Sequence, residues 1–362
     1  MKPKKAKNQL WHQIGLSLLC LVLAVTLSAM LFVTIFVERA LGEIIVENPT
    51  HGSDHNATIG TLPSDIYTDP TLPPDFTGVT IPPDKITIPT APKDFLQHEK
   101  IVNIMLVGQD RRPNQNYRTL SDSMILCTFN LQDNTLTMTS FMRDMYVQIP
   151  GLGGNKMNAA YLHGGMPLLQ ETMMLNFGIS VDAFVEVDFS GFTKVIDTLG
   201  GVEITLTQRE ADYMNTFYWG AGIDNSDWNL TEGPHVLTGE QALSYSRIRM
   251  VPTLTGINND FGRTERQRRV LGQVLSECKQ MDFSTAYALV KELIPIVRTD
   301  ISKNEIFNYF LTLFPMLTNT QITNQRIPID GSYEFAWVGS LDVVLPDLEK
   351  NRDFLYDTLM PD

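Results

Sequence analysis

The chain has 362 residues, 43% of them apolar, and a formal net charge of −13. That is enough apolar material for a sizeable core, and too acidic a balance for a general nucleic-acid binder, whose ligand attracts basic surfaces. Three cysteines, none in a CxxC pair or a zinc pattern, are too few for a disulfide framework. Cys20 lies in a hydrophobic stretch, Cys127 in an apolar run that reads as a buried strand, and Cys278 on the apolar stripe of a helix. A Cys127–Cys278 bridge competes with ordinary burial, and burial is the better reading.

Residues 14–37 carry no charge and are mostly Leu, Val, Ile, Ala and Phe, long enough for a helix to cross a bilayer. Lys2, Lys4, Lys5 and Lys7 precede them, and the lysine-rich side of such a segment stays in the cytoplasm. The expectation is a cytoplasmic tail over 1–13, one transmembrane helix over 14–37, and an extracytoplasmic remainder. A cleaved signal peptide is the poorer reading. The apolar run exceeds the usual length, and Val37-Glu38-Arg39-Ala40 lacks the small-x-small pattern.

Residues 44–98 hold nine prolines among many Thr, Asp and Gly. Such a composition cannot bury enough apolar surface to fold alone, so 38–98 reads as a disordered spacer. A globular pattern then runs over 99–362. The spans 101–107, 123–131 and 134–141 read as strands, the last two joined by a turn at 132–134. The span 167–177 reads as a helix. The spans 183–188, 189–199 and 202–206 read strand, helix, strand, with Gly200-Gly201 as the stop. Thr238 with Gln241, Thr264 with Gln267, and Ser302 with Glu305 each fit a capping box that opens a helix. Interleaved strands and helices predict an α/β domain of α-β-α layers.

Between Lys100 and Val270 there are eleven arginines and three lysines. Guanidinium is planar, permanently charged and matches phosphate bidentately, so the bias suggests an anionic ligand. Salt bridging to the many carboxylates is the bland reading, and for any single arginine the better one. Arg247 and Arg249 lie two apart at the end of the helix opened by Thr238. Arg263 is expected just before the next helix, with Arg266 and Gln267 in its first turn, where free N–H groups and the helix dipole favour an anion. Gln267 is equally the capping-box partner.

Asp110 follows the strand 101–107, and Asp122 immediately precedes the strand at 123. If those strands are antiparallel neighbours, both carboxylates meet at one sheet edge, where ligands bind in α/β sheets. Two carboxylates plus phosphate oxygens suit Mg²⁺; ordinary turn chemistry is the alternative. Arg143-Asp144 follows the strand ending at 141. No Ser/His/Asp triad, GxSxG or P-loop is present.

The ordered motifs VGQDRR (107–112), LSDS (120–123), FMRD (141–144), NKMNAAY (155–161), DTLGGV (197–202), ALSYSRIR (242–249) and DFGRTERQ (260–267) resemble the LytR-CpsA-Psr family of bacterial cell-wall glycopolymer ligases. The resemblance implies an α-β-α fold with a central mixed sheet. It implies transfer of a phosphoglycan (teichoic acid, capsule or another secondary wall polymer) from a polyprenyl-pyrophosphate carrier to peptidoglycan, dependent on Mg²⁺ or Mn²⁺. Asp110 and Asp122 would hold the metal. Arg112, Arg143, Arg247, Arg249, Arg263 and Gln267 would bind the pyrophosphate, and the lipid tail would lie in an apolar pocket within the sheet–helix layer. Arg143, Arg249, Asp110 and Asp122 would carry catalysis. Leu120 stands where many members have arginine, with Arg118 two residues back as its substitute; Met142 stands where proline is usual. A pyrophosphatase and a non-enzymatic envelope regulator are the rival functions. No nucleic-acid partner is expected.

Overall fold

The computed structural model describes residues 80–360, except 93–95, 97, 110–118, 218–222 and parts of 282–296 and 303–319. The expected segments 1–13 and 14–37, and most of the spacer, lie outside the described residues. No described helix is long and apolar enough to cross a membrane.

The core is a six-stranded mixed sheet. Its strands in chain order are β2 (Ile101–Gln109), β3 (Ser121–Asn130), β4 (Thr135–Phe141), β7 (Ala183–Asp188), β10 (Val297–Thr299) and β11 (Gln321–Ile327), and their spatial order is β10-β7-β2-β3-β4-β11. β2 runs parallel to β7, and β4 to β11, while β3 is antiparallel to both β2 and β4. β7, β2, β4 and β11 therefore share one direction. Their carboxyl ends, with the start of β3, make one edge.

Both faces of the sheet are covered. Met105, Val107, Met124, Leu126 and Phe141 face a core shared with α1 (Met157–Phe177) and α6 (Leu348–Leu359). Ile104, Leu106, Ile125, Cys127, Leu136 and Met138 face the other way, against Leu271 and Leu275 of α5 (Asn259–Gln280) and against Leu313 and Met316. The period of two in β2 and β3 divides their side chains between these layers. This is the expected α-β-α arrangement around a mixed sheet.

Two smaller units flank it. α2 (Phe189–Thr198), the hairpin of β8 (Val202–Leu206) and β9 (Gly233–Leu237), α3 (Gln208–Thr216) and α4 (Gly239–Arg247) share a second core with Val270 of α5. β1 (Thr80–Ile81), β12 (Tyr333–Val338) and β13 (Leu341–Pro346) form a small sheet against the hairpin of β5 (Tyr146–Ile149) and β6 (Gly153–Lys156). Thr80 and Ile81 pair with Trp337 and Val338. Packing of the domain thus reaches back into the stretch expected to be spacer.

Several boundaries differ from expectation. α1 begins ten residues earlier than the span 167–177; Pro167 hides its continuity, which kinks at Gly165 (φ 65°, ψ −153°). Thr264 does not open a helix. α5 starts at Asn259, so Thr264 lies inside it, its hydroxyl donating back to the Phe261 carbonyl at 2.9 Å. The capping boxes at Thr238–Gln241 and Ser302–Glu305 are both present. Cys127 is buried and Cys278 half-buried, and both are free thiols.

Candidate anion site at the carboxyl edge of the sheet

β2 and β3 are antiparallel neighbours, with Gln109 opposite Ser121. Asp122 lies within β3 rather than before it. The register slips between Gly108 and Gln109, leaving Asp122 as the extra residue of a bulge; bulges re-aim side chains next to active sites. Asp110, Arg112 and Arg118 lie outside the described residues.

Three arginines converge on two carboxylates here. Arg143 Nη1 donates to Asp122 Oδ1 at 2.8 Å and its Nε to Asp144 Oδ2 at 3.2 Å. Arg263 Nη2 lies 2.8 Å from Asp260 Oδ1, and its Nη1 3.5 Å from Asp122 Oδ1. Arg249 Nε lies 3.4 Å from the same Asp260 oxygen. Asp260 is 5% exposed and Arg263 2%, so these charges are largely out of water. Burial lowers the pKa of Arg143, but Asp144, Asp260 and Asp122 more than offset it and raise it overall. Arg249 is pushed down to about 10, by burial first and then by Arg263, with Asp260 acting the other way.

The fold supplies each position. Arg143 follows β4, and its carbonyl accepts from Asn158 N at 3.1 Å at the start of α1. Lys156 bridges Asp144 (3.0 Å) and Asp342 (2.6 Å), tying the turn to β13. Met142, in the usual proline position, donates its N–H to Ile327 O at 2.9 Å, a bond proline could not make. Thr238 caps the start of α4, and the next position is glycine because a Cβ there would come 2.3 Å from Thr193 O; the Gly239 N–H donates to Asp197 Oδ1 at 2.7 Å. Arg247 ends α4, with its guanidinium 5.1 Å from the centre of the Phe189 ring beside β7.

Arg266 is not at a helix N-terminus, contrary to expectation. It is fully buried, donating to Glu210 Oε1 (2.8 Å), Ile248 O (3.1 Å) and Val251 O (2.9 Å). It therefore fixes the backbone on either side of Arg249. Gln267 is half-buried one residue on, also beyond the first turn of α5. Sequence reasoning did not assign Asp260, Glu210 or Lys156 to the site. The i, i+3 spacing of Asp260 and Arg263 was the available signal for the first.

A metal ion would find a fitting partner in Asp122. Its side chain is 29% exposed, and no described residue bonds to its Oδ2. A hard cation shared with phosphate oxygens suits such a carboxylate. Among the described residues no group of three or more His, Cys, Asp or Glu is placed to hold a metal by itself. A cleft of about 360 Å³ lined by Ile101, Asn103 and Asp182 lies at the opposite end of β2.

Fold and site together define an α-β-α domain with an arginine–carboxylate anion site at the carboxyl edge of its sheet. The LytR_cpsA_psr family model matches residues 82–352, and the chain belongs to that family. It is similar to the regulatory protein MsrR of Staphylococcus aureus, 33% identical over 238 residues, which cover 64% of this chain and 66% of that one. The chain therefore spans just under two thirds of the MsrR length. It is 30% identical over 232 residues to the polyisoprenyl-teichoic acid–peptidoglycan teichoic acid transferase TagU of Bacillus cereus, covering 64% of this chain and 69% of that one. Among solved structures it is similar to Bacillus subtilis TagT bound to LIIa-WTA, with a TM-score of 0.56 and 25% identity over 72% of this chain and 91% of that one.

Proposed function

We propose that this protein is a membrane-anchored phosphotransferase that moves a phosphoglycan from a polyprenyl-pyrophosphate carrier to a peptidoglycan hydroxyl outside the cell. The observation that carries this reading is the convergence of Arg143, Arg249 and Arg263 on Asp122 and Asp260 at the carboxyl edge of the sheet. Membership of a family that includes TagU supports it. So does the half-buried apolar layer of Val102, Ile104, Leu106, Leu271 and Leu275, which offers a lipid chain somewhere to lie.

The chemistry is phosphoryl transfer. A sugar hydroxyl oxygen bonds to the glycan-proximal phosphorus. The bond from that phosphorus to the bridging oxygen breaks, and polyprenyl phosphate leaves with the electron pair. Asp110 or Asp122 takes the hydroxyl proton. Arg143, Arg249 and Arg263 exchange carboxylate oxygens for pyrophosphate oxygens and neutralise the charge that grows on them, with Arg247, Arg112, Arg118 and Gln267 completing the contacts. Mg²⁺ or Mn²⁺ held by Asp122 and Asp110 would add positive charge at the same oxygens.

The anchor is the apolar segment 14–37, with the lysines inside and the domain outside. Covalent transfer of a lipid-linked saccharide to peptidoglycan by purified protein tests the reaction. Release of free phosphoglycan without an acceptor would favour a pyrophosphatase instead, and binding without turnover a regulator.

A further inference from the structure

The loop between α4 and α5 is turned inside out. Over 250–258 it carries no charged residue, in a chain of net charge −13. Thr253 is 3% exposed, and its hydroxyl and that of Thr255 donate to Glu265 Oε2 at 3.0 and 2.7 Å. Met250, Leu254 and Ile257 are instead 67, 57 and 38% exposed. Among the described residues seven large hydrophobic side chains stand exposed, and three of them fall within the eight positions 250–257. Single apolar residues scattered over a surface are ordinary, whereas a cluster presented by one segment marks a contact.

The loop is fixed in that pose. The Thr253 N–H donates to Ile257 O at 2.7 Å and the Ile257 N–H to Thr253 Oγ1 at 3.1 Å. Gly256 makes the turn with φ 86°, its N–H on Thr253 O at 2.9 Å, and Arg266 holds the Val251 carbonyl. The Asn259 N–H donates to Arg249 O at 3.1 Å, so the two ends of the loop meet. They meet at the anion site: Arg249 stands at one foot and Asp260 at the other, 3.4 Å apart at Nε and Oδ1. Leu254 is five residues from Arg249, hence within roughly 18 Å of it. The N-terminal segment joins nearby. Thr80 pairs with Trp337 of β12, and two residues along that strand Phe335 meets the Phe261 ring at 6.2 Å, next to Asp260. The stretch that holds the uncharged apolar run 14–37 therefore enters the domain within roughly 20 Å of the foot of the loop.

We propose that the tip of 250–258 docks on the outer surface of the membrane, with Met250, Leu254 and Ile257 at the boundary between headgroups and acyl chains. Arg247 and Arg249 then lie at the level of the lipid phosphates, where a membrane-borne pyrophosphate arrives. A protein partner is the poorer occupant, because protein interfaces are specified by hydrogen bonds and both threonine hydroxyls of this loop are turned inward. A bilayer asks only for apolar area, and a loop already fixed loses little conformational entropy on insertion. That the surface is the outer leaflet rests on the anchor proposed above; the apolar tip does not.

The test uses the full-length chain in nanodiscs of phosphatidylglycerol and phosphatidylethanolamine. Leu254→Cys carries a bimane probe, in a Cys20→Ala, Cys278→Ala background, and lipids with a nitroxide high on the acyl chain quench the probe on contact. The expected result is strong quenching that Met250→Ser combined with Ile257→Ser lowers by roughly half or more. Both of those side chains are exposed, so the fold does not depend on them. A probe that the lipid nitroxide does not reach, or quenching that the paired serines leave unchanged, overturns the docking. A probe shielded only as protein concentration rises identifies a second copy as the occupant and also overturns it. Retention in the discs is read separately. A chain that is not retained sinks the anchor reading; the labelled chain is then mixed with vesicles of the same lipids, where quenching supports the docking and its absence overturns it.

Discussion

Arg266 donates from Nε to Glu210 Oε1 at 2.8 Å, and neither side chain is exposed to solvent. The same guanidinium holds the carbonyls of Ile248 and Val251. A fully buried ion pair therefore clamps the segment that presents Arg249. Removing one partner strands the other charge, so Glu210→Ala is expected to cost about 3–5 kcal/mol of stability, read from denaturant unfolding. Glu210→Gln keeps a hydrogen bond and should cost less.

Arg143, Arg249 and Arg263 are expected to act where charge grows in the transition state. Each arginine-to-alanine change should lower the transfer rate roughly a hundredfold or more, with the smallest change in folding temperature for Arg249, which is the least buried of the three at 20% exposure. Arg263→Ala also leaves Asp260 short of its shortest contact, so it should lower both rate and stability.

The depressed pKa of Arg249 gives a pH signature. Its native value of about 10 lies below the ordinary arginine value. The charge is thus complete at neutral pH and is lost as pH rises through 10. Anion affinity should be flat from pH 7 to about 9 and fall above 10, with the fall absent in Arg249→Ala. In the free protein the sign is opposite. The native state binds fewer protons than the unfolded chain in that window, so the contribution of Arg249 to stability improves as pH rises through it.

The thiols should behave as buried and separate. Burial pushes Cys127 up to about 12, so it should resist alkylation at pH 8 until the domain unfolds, whereas half-buried Cys278 reacts sooner. Reductant should leave the unfolding temperature unchanged.

Much of this was legible in the sequence. The apolar runs at 101–107 and 123–131 place the central strands within two residues, because a strand buried on both faces is apolar at nearly every position. That Asp122 lies at the carboxyl edge of β2 depended on the two strands being antiparallel neighbours, which their pairing shows. Other features were hidden. Thr264-Glu-Arg-Gln267 matches a capping box, but Asn259 already starts the helix with a positive φ of 56°, which no short pattern announces. The sequence puts Asp122 just before its strand rather than inside it, because a bulge is invisible without its partner strand. Arg266 looked like a ligand-binding arginine because its partner, Glu210, is 56 positions away.

The most direct measurement is transfer of a synthetic polyprenyl-pyrophosphoryl saccharide to peptidoglycan by the purified full-length chain, with Mg²⁺ or EDTA, comparing wild type with Arg249→Ala. A covalent adduct that wild type forms with Mg²⁺, and that EDTA and the substitution each suppress, is the expected result. An adduct formed equally well by Arg249→Ala, or no adduct from wild type with substrate bound, would contradict the account.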